Sequence, residues 1–169
     1  DFRRTIESQA VQAKPEKFWP LFQKKYPVTV IIGNMDPLSR KFFQRVNSSA
    51  DWKLVFVKGT MVVFVKKGAH GLPDEADLYQ SRLSSQSVSP EDVAALQDGY
   101  RKPRRIPWRE WFDPPPFRVD DWETGITLMN LGYGGAGVKM LASGLKNGYV
   151  SLGNEVPAVL QRVDRRQLF

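Results

Sequence analysis

Residues 26–67 read YPVTVIIGNMDPLSRKFFQRVNSSADWKLVFVKGTMVVFVKK, and the order of apolar patterns in this stretch decides the fold class. Val28 to Ile32 is a β-branched run of the kind found in strands covered on both faces. Gly33 and Asn34 end it. Asp36 followed by Pro37 is an N-cap with a first-turn proline, so a helix is expected to start there. Leu38, Phe42 and Val46 recur at helical spacing and predict one buried stripe. After the polar turn Asn47 to Asp51, Trp52 to Val57 and Met61 to Val65 read as two strands flanking Lys58-Gly59, a tight antiparallel hairpin.

On the N-terminal side, Asp1 to Val11 carries the weak pattern of a short entering strand. Pro15 to Tyr26 places Phe18, Trp19, Leu21 and Phe22 on a helix face, with Lys24 and Lys25 at its carbonyl end. Pro20 restricts that helix to a start near Lys17, where the missing N–H falls in the first turn. The expected fold is therefore α/β: a small Rossmann-like sandwich in the order helix, strand, helix, hairpin, followed by a helical C-terminal extension.

Past Gly68 the texture changes. Pro73-Asp74-Glu75 starts a helix reaching about Leu83, with Ala76, Tyr79 and Leu83 on one face. Ser81 to Ser89 reads as a loop, and Ser89-Pro90-Glu91-Asp92 opens another helix holding Val93 and Leu96. Arg101 to Pro116 (RKPRRIPWREWFDPPP) carries too many prolines for regular structure and reads as an extended linker or wrapping arm. From Asp120, Trp122, Ile126 and Met129 fit one helix and Val138, Leu141 and Leu145 a second, with the break at Gly132 to Gly135. The expected division is an α/β core over 1–68, helices and a basic proline-rich linker over 69–119, and an αα-hairpin over 120–169. The hairpin is tetratricopeptide-like, with Leu131-Gly132-Tyr133 and Ala136 near that repeat's positions, but no second copy follows.

Composition narrows the chemistry. The 169 residues are 41% apolar and 25% charged, as in soluble globular proteins. The uncharged stretch holding Gly125 to Val138 is shorter than the roughly 18–20 residues a membrane span needs. The abrupt start at Asp1 suits a piece of a longer chain or a processed product. Cysteine is absent, which excludes disulfides, thiolate nucleophiles and Cys-based metal sites. A net charge of +7 and a pI near 9.7 favour anionic neighbours such as lipid headgroups, polyphosphate carriers or nucleic acid.

No zinc-protease, nucleophile-elbow or triad-like pattern appears, so no catalytic residue, metal ligand or cofactor is assigned. His70 beside Asp74, Glu75 and Asp77 reads as a solvated helix-capping region, and Ser84, Ser85, Ser87 and Ser89 have no nearby histidine to activate them. Gly132-Tyr133-Gly134-Gly135-Ala136-Gly137 lacks the Lys and Ser/Thr of a phosphate-binding loop and reads as close helix packing. Asp113, Asp120, Asp121 and Glu123 read as helix-capping acids. Asn47-Ser48-Ser49 matches a glycosylation sequon, of consequence only in a chain secreted by a eukaryote. The most suggestive patch is Arg101, Lys102, Arg104, Arg105 and Arg109 interleaved with Trp108 and Trp111. Cations with stacking aromatics suit phosphate, sugar or single-stranded nucleic acid. The same residues also suit an arm that lays its tryptophans on the sheet and keeps its arginines in water.

Tyr26-Pro27-Val28, Asp36-Pro37-Leu38, Asp51-Trp52-Lys53-Leu54-Val55-Phe56 and Val62-Val63-Phe64-Val65-Lys66 together resemble a known family. It is the soluble C-terminal domain of bacterial polytopic glycosyltransferases related to the dolichyl-phosphate-mannose–protein mannosyltransferases. Asp1-Phe2-Arg3 resembles that domain's opening, the helix with Phe18 and Trp19 matches an aromatic-rich helix, and a tetratricopeptide-like extension sometimes follows. The resemblance covers about the first 67 residues and departs from the family at Lys58, where an aspartate often precedes the turn glycine. It implies a non-catalytic, extracytoplasmic (periplasmic-side) domain of a membrane-tethered parent. Its implied partners are the membrane-embedded part of that parent, and anionic lipid or a lipid-linked sugar phosphate. The family's catalytic carboxylate sits in a loop between membrane helices, so none is carried over to this chain. Independently of the resemblance, the residues allow a free-standing module that binds nucleic acid or another anionic polymer through 101–111.

Overall fold

A computed structural model describes residues 9–69, 75–101, 119–146 and 161. The chain divides into two compact units, Asp1–Arg82 and Leu83–Phe169.

The described part of the first unit begins with a helical turn over 9–13, so the strand expected over Asp1 to Val11 is corrected at 9–11, and its first eight residues lie outside the described residues. The helical turn stops at Lys14 (φ −138°, ψ 71°) because a residue preceding proline is pushed out of the helical region. Pro15 then takes the first position of α1 (Pro15–Lys25). The helix therefore starts two residues before Lys17 and carries Pro20 in its interior, at a cost of about 3 kcal/mol from one lost hydrogen bond and a ring clash. Packing offsets that cost. Trp19 is buried, edge-on to Phe42 at 5.1 Å and 5.8 Å from Trp52. The buried face is Pro15 and Trp19 with Phe22 half-buried, while Leu21 points to solvent at 60% exposure.

Strand β1 (Val30–Asn34) is followed by α2 (Arg40–Ser48), β2 (Trp52–Lys58) and β3 (Met61–Lys66). This is the expected order of helix, strand, helix and hairpin. The sheet order is β1-β3-β2, and both pairings are antiparallel. β1 and β2 therefore run in the same direction, joined through α2, with β3 inserted between them: a split βαβ arrangement. Because β1 is an edge strand with alternating exposure, the expectation that its run is covered on both faces is corrected.

The turn before α2 is held by Asp36. Its carboxylate accepts from the N–H groups of Leu38 (2.9 Å) and Ser39 (2.8 Å), and the Asp36 N–H donates back to the Ser39 hydroxyl (3.0 Å). This reciprocal pattern has the form of a capping box with serine in the usual glutamate position, but it closes the turn over 37–39, and α2 itself begins at Arg40, three residues after the Pro37 start expected from the sequence. Ser39 also donates to the Asn34 carbonyl at 2.7 Å and is 1% exposed, so the buried stripe is Ser39, Phe42, Phe43 and Val46. Leu38, expected in the stripe, is 80% exposed because the turn over 37–39 shifts the helical phase by one residue.

The hairpin turns through Gly59 (φ +58°) and Thr60, the sign pattern of a type II′ turn with glycine first. Leu54 pairs with Phe64 but Phe56 pairs with Val63, so Val55 is the extra residue of a β-bulge. The bulge changes which residues face inward: Trp52 and Leu54 before it, Val57 after it.

The second unit is helical. α3 (Glu75–Ser85) crosses the unit boundary and runs past Leu83 through Ser85, so the expected serine loop shrinks to 86–89. α4 (Pro90–Arg101) is capped by the Ser89 hydroxyl, which accepts from the Asp92 N–H at 3.1 Å. α5 (Val119–Leu131) and α6 (Gly134–Lys146) form the hairpin read from the sequence. Between them Gly132 (φ +100°) ends α5, with Gly132 N–H on Met129 O (3.1 Å) and Tyr133 N–H on Leu128 O (2.9 Å), a Schellman motif. Leu96 from α4 enters one core with Trp122, Met129, Val138, Leu141 and Leu145.

Candidate anionic-ligand surface

Of the seven residues singled out as an anionic-ligand patch, Arg101 is the last residue of α4. Lys102, Arg104, Arg105, Trp108, Arg109 and Trp111 lie outside the described residues, as do His70, Asp74 and Asp113. The serines have local duties: Ser89 caps α4, and Ser48 within the sequon donates to the Gln44 carbonyl at 2.9 Å. Among the described residues no group of three His, Cys, Asp or Glu could hold a metal ion, and no helix is long and apolar enough to cross a membrane.

The glycine-rich run has a packing role. A Cβ on Gly137 would lie 2.5 Å from Met129 Cγ and 2.8 Å from the Gly125 carbonyl, and one on Gly125 would lie 2.7 Å from Leu141 Cγ. One on Gly135 would run into the Gln86 carbonyl. These glycines let two helices and a loop approach at backbone distance.

One surface was not read from the sequence. The helices cover the sheet face that carries Trp52, Leu54, Val62 and Phe64, where Phe43 stacks on Phe64 at 6.1 Å. The opposite face is built of three cross-strand rows. Val30, Val65 and Lys53 form the first, Ile32, Val63 and Phe56 the second, and Asn34, Met61 and Lys58 the third. Ile32 is 67% exposed, and Val30, Phe56 and Met61 lie between 39% and 46%. An apolar groove of about 210 Å³, lined by Val11, Trp19, Phe22, Val28 and Phe42, reaches Val30 and Ile32 along the β1 edge. The signal that locates this face is register. Once β3 is placed between β1 and β2, the parity of Val63 and Val65 puts them beside Ile32 and Val30.

The electrostatics of the first unit are dominated by lysine and arginine. Over residues 1–82 of that unit fourteen Lys and Arg stand against eight Asp and Glu, and between 9 and 69 the counts are eleven and three, the acids there being Glu16, Asp36 and Asp51. Asp36 is committed to its cap: the Ser39 N–H, most of all, lowers its pKa, partial burial opposes, and the Ser39 hydroxyl and Leu38 N–H lower it further. Among the described residues of this unit, the buried donors Arg40 Nε and Trp52 Nε1 have no hydrogen-bond partner.

No protein-family signature, curated protein or solved structure matches the chain.

Proposed function

We propose that this chain is a non-catalytic, extracytoplasmic domain of a polytopic glycosyltransferase-like membrane protein, in which it contacts a partner, an acceptor or the lipid-linked donor. The observation that carries the reading is the run from Tyr26 to Lys66, whose motif residues follow the family pattern through strand, capped turn, helix and hairpin. On this reading the first unit is a split variant of a Rossmann-like sandwich, and α5 with α6 is a tetratricopeptide-like extension. Arg101, Lys102, Arg104, Arg105, Trp108, Arg109 and Trp111 supply cations and stacking rings for a sugar phosphate or an anionic headgroup. The partners are the membrane-embedded part of the parent and anionic or lipid-linked phosphate. Nucleic acid is the less favoured ligand of the same arm.

The test is immunodetection after tagging the native gene and fractionating the cells. The proposal expects a membrane-fraction product much larger than 19.3 kDa that is protease-accessible from the outer side of intact spheroplasts. A free product confined to the cytosol overturns it.

A further inference from the structure

We propose that the open face of the β1-β3-β2 sheet is a docking surface for an anionic lipid bilayer. This surface is built from other residues than the 101–111 arm and does not depend on the parentage proposed above. A sheet face left uncovered is normally polar, because antiparallel sheets solvate one side with alternating hydrophilic residues. Here that side presents exposed Val30, Ile32, Phe56 and Met61 around half-buried Val63 and Val65. Such a contiguous apolar patch on a protein surface marks a contact.

Three observations favour a bilayer over other occupants. The first is charge. Lys53 and Lys58 end the outer rows on β2, and fourteen cations against eight acids over residues 1–82 leave the unit net positive, which favours a negative surface. The second is the shape of the distribution, an aliphatic centre with lysines along one margin. Aliphatic side chains enter the acyl boundary while long lysine stems carry their ammonium groups back to the headgroups. Third, a second copy docked face to face would bring two such cationic units together, a like-charge juxtaposition that penalises self-pairing. The face carries a single ring, Phe56, whereas single-stranded nucleic acid is held by several rings stacking successive bases.

The experiment is vesicle sedimentation with the full chain, using phosphatidylcholine vesicles with and without about one-third phosphatidylglycerol. Binding is expected to the anionic vesicles alone and to fall with added salt. Ile32→Asp, at a site already 67% exposed, should weaken it about ten-fold or more while leaving the circular dichroism spectrum unchanged. Lys58→Ser should weaken it about five-fold, one cation's share. The absence of cysteine allows one probe at a time. A spin label at Met61→Cys should become shielded from a water-soluble relaxation agent on binding, and one at Lys41→Cys, on exposed α2, should not. Equal binding to neutral vesicles, or no shielding at Met61→Cys, overturns the proposal. So does concentration-dependent dimerisation that accounts for the shielding. If Ile32→Asp binds normally and replacing Arg101, Lys102, Arg104 and Arg105 by Ala abolishes binding, the arm is the lipid contact and the sheet face is not.

Discussion

The two units solve helix packing in opposite ways. In the first, large rings fill the space between helices and sheet: Trp19 against Phe42 and Trp52, Phe43 against Phe64. In the second, the helices are brought together by what is missing, with Gly125 and Gly137 letting α5 and α6 touch at backbone distance. The first is therefore vulnerable to truncation and the second to growth. They differ also in closure. The helical unit buries Trp122, Met129, Val138 and Leu141 in a shared core, whereas the described residues of the sheet unit cover one face and leave the other apolar and open. A packed core and an exposed apolar face in one small chain have different physical meanings: the first specifies the fold, and the second is free to serve a contact.

Hydrogen exchange read separately on peptides from each unit of the intact chain can break this contrast. The largest effect is expected from Phe43→Ala, which removes a side chain 2% exposed. It should cost the first unit about 3–5 kcal/mol and leave protection in α6 unchanged. An equal loss in both units would show that they do not unfold independently. Next comes Gly137→Ala, expected to destabilise the second unit by about 1–3 kcal/mol from overpacking. Alanine's better helix propensity, worth about 1 kcal/mol, works against that loss, so a stabilised variant would refute the close crossing.

A smaller effect belongs to the cap. Asp36→Ala should cost about 1 kcal/mol. Because the folded carboxyl titrates below its ordinary 3.8, the contribution is complete above that value and is lost as pH falls through the folded one. Asp36→Asn should keep much of the cap and lose this acid dependence, which urea titrations between neutral and acidic pH would read. The smallest effect is expected from Ile32→Thr, within about 0.5 kcal/mol, because its side chain is mostly in water. A loss comparable to Phe43→Ala would mean that the sheet's second face is a core after all.

Much of this architecture is legible in the sequence where the signal is local. Asp36-Pro37 marks the turn that leads into a helix, Gly59 a two-residue turn and Gly132 a helix end, each through backbone chemistry within a few residues. What escapes local reading depends on partners distant in sequence. The run Trp52–Lys58 is uniformly strand-forming, and nothing in it announces the bulge at Val55, which exists only in register with β3. Ser39 replaces Leu38 in the stripe because the capping turn sets the phase. Pro20 lies inside α1 because packing of Trp19 outweighs a local penalty. The basic-aromatic arm is legible as composition alone. The open sheet face is not, since an uninterrupted Val/Ile strand looks the same whether one side or both are covered.

Oxidative footprinting of the methionines tests the uncovered face most directly. Met61 is 39% exposed on the outer sheet face, while Met35 at 7% and Met129 at 3% are buried in the first and second units. Brief hydroxyl-radical exposure of the native chain should oxidise Met61 first and leave Met35 and Met129 protected until unfolding. Protection of Met61 equal to that of Met129 in the free chain would contradict an open face.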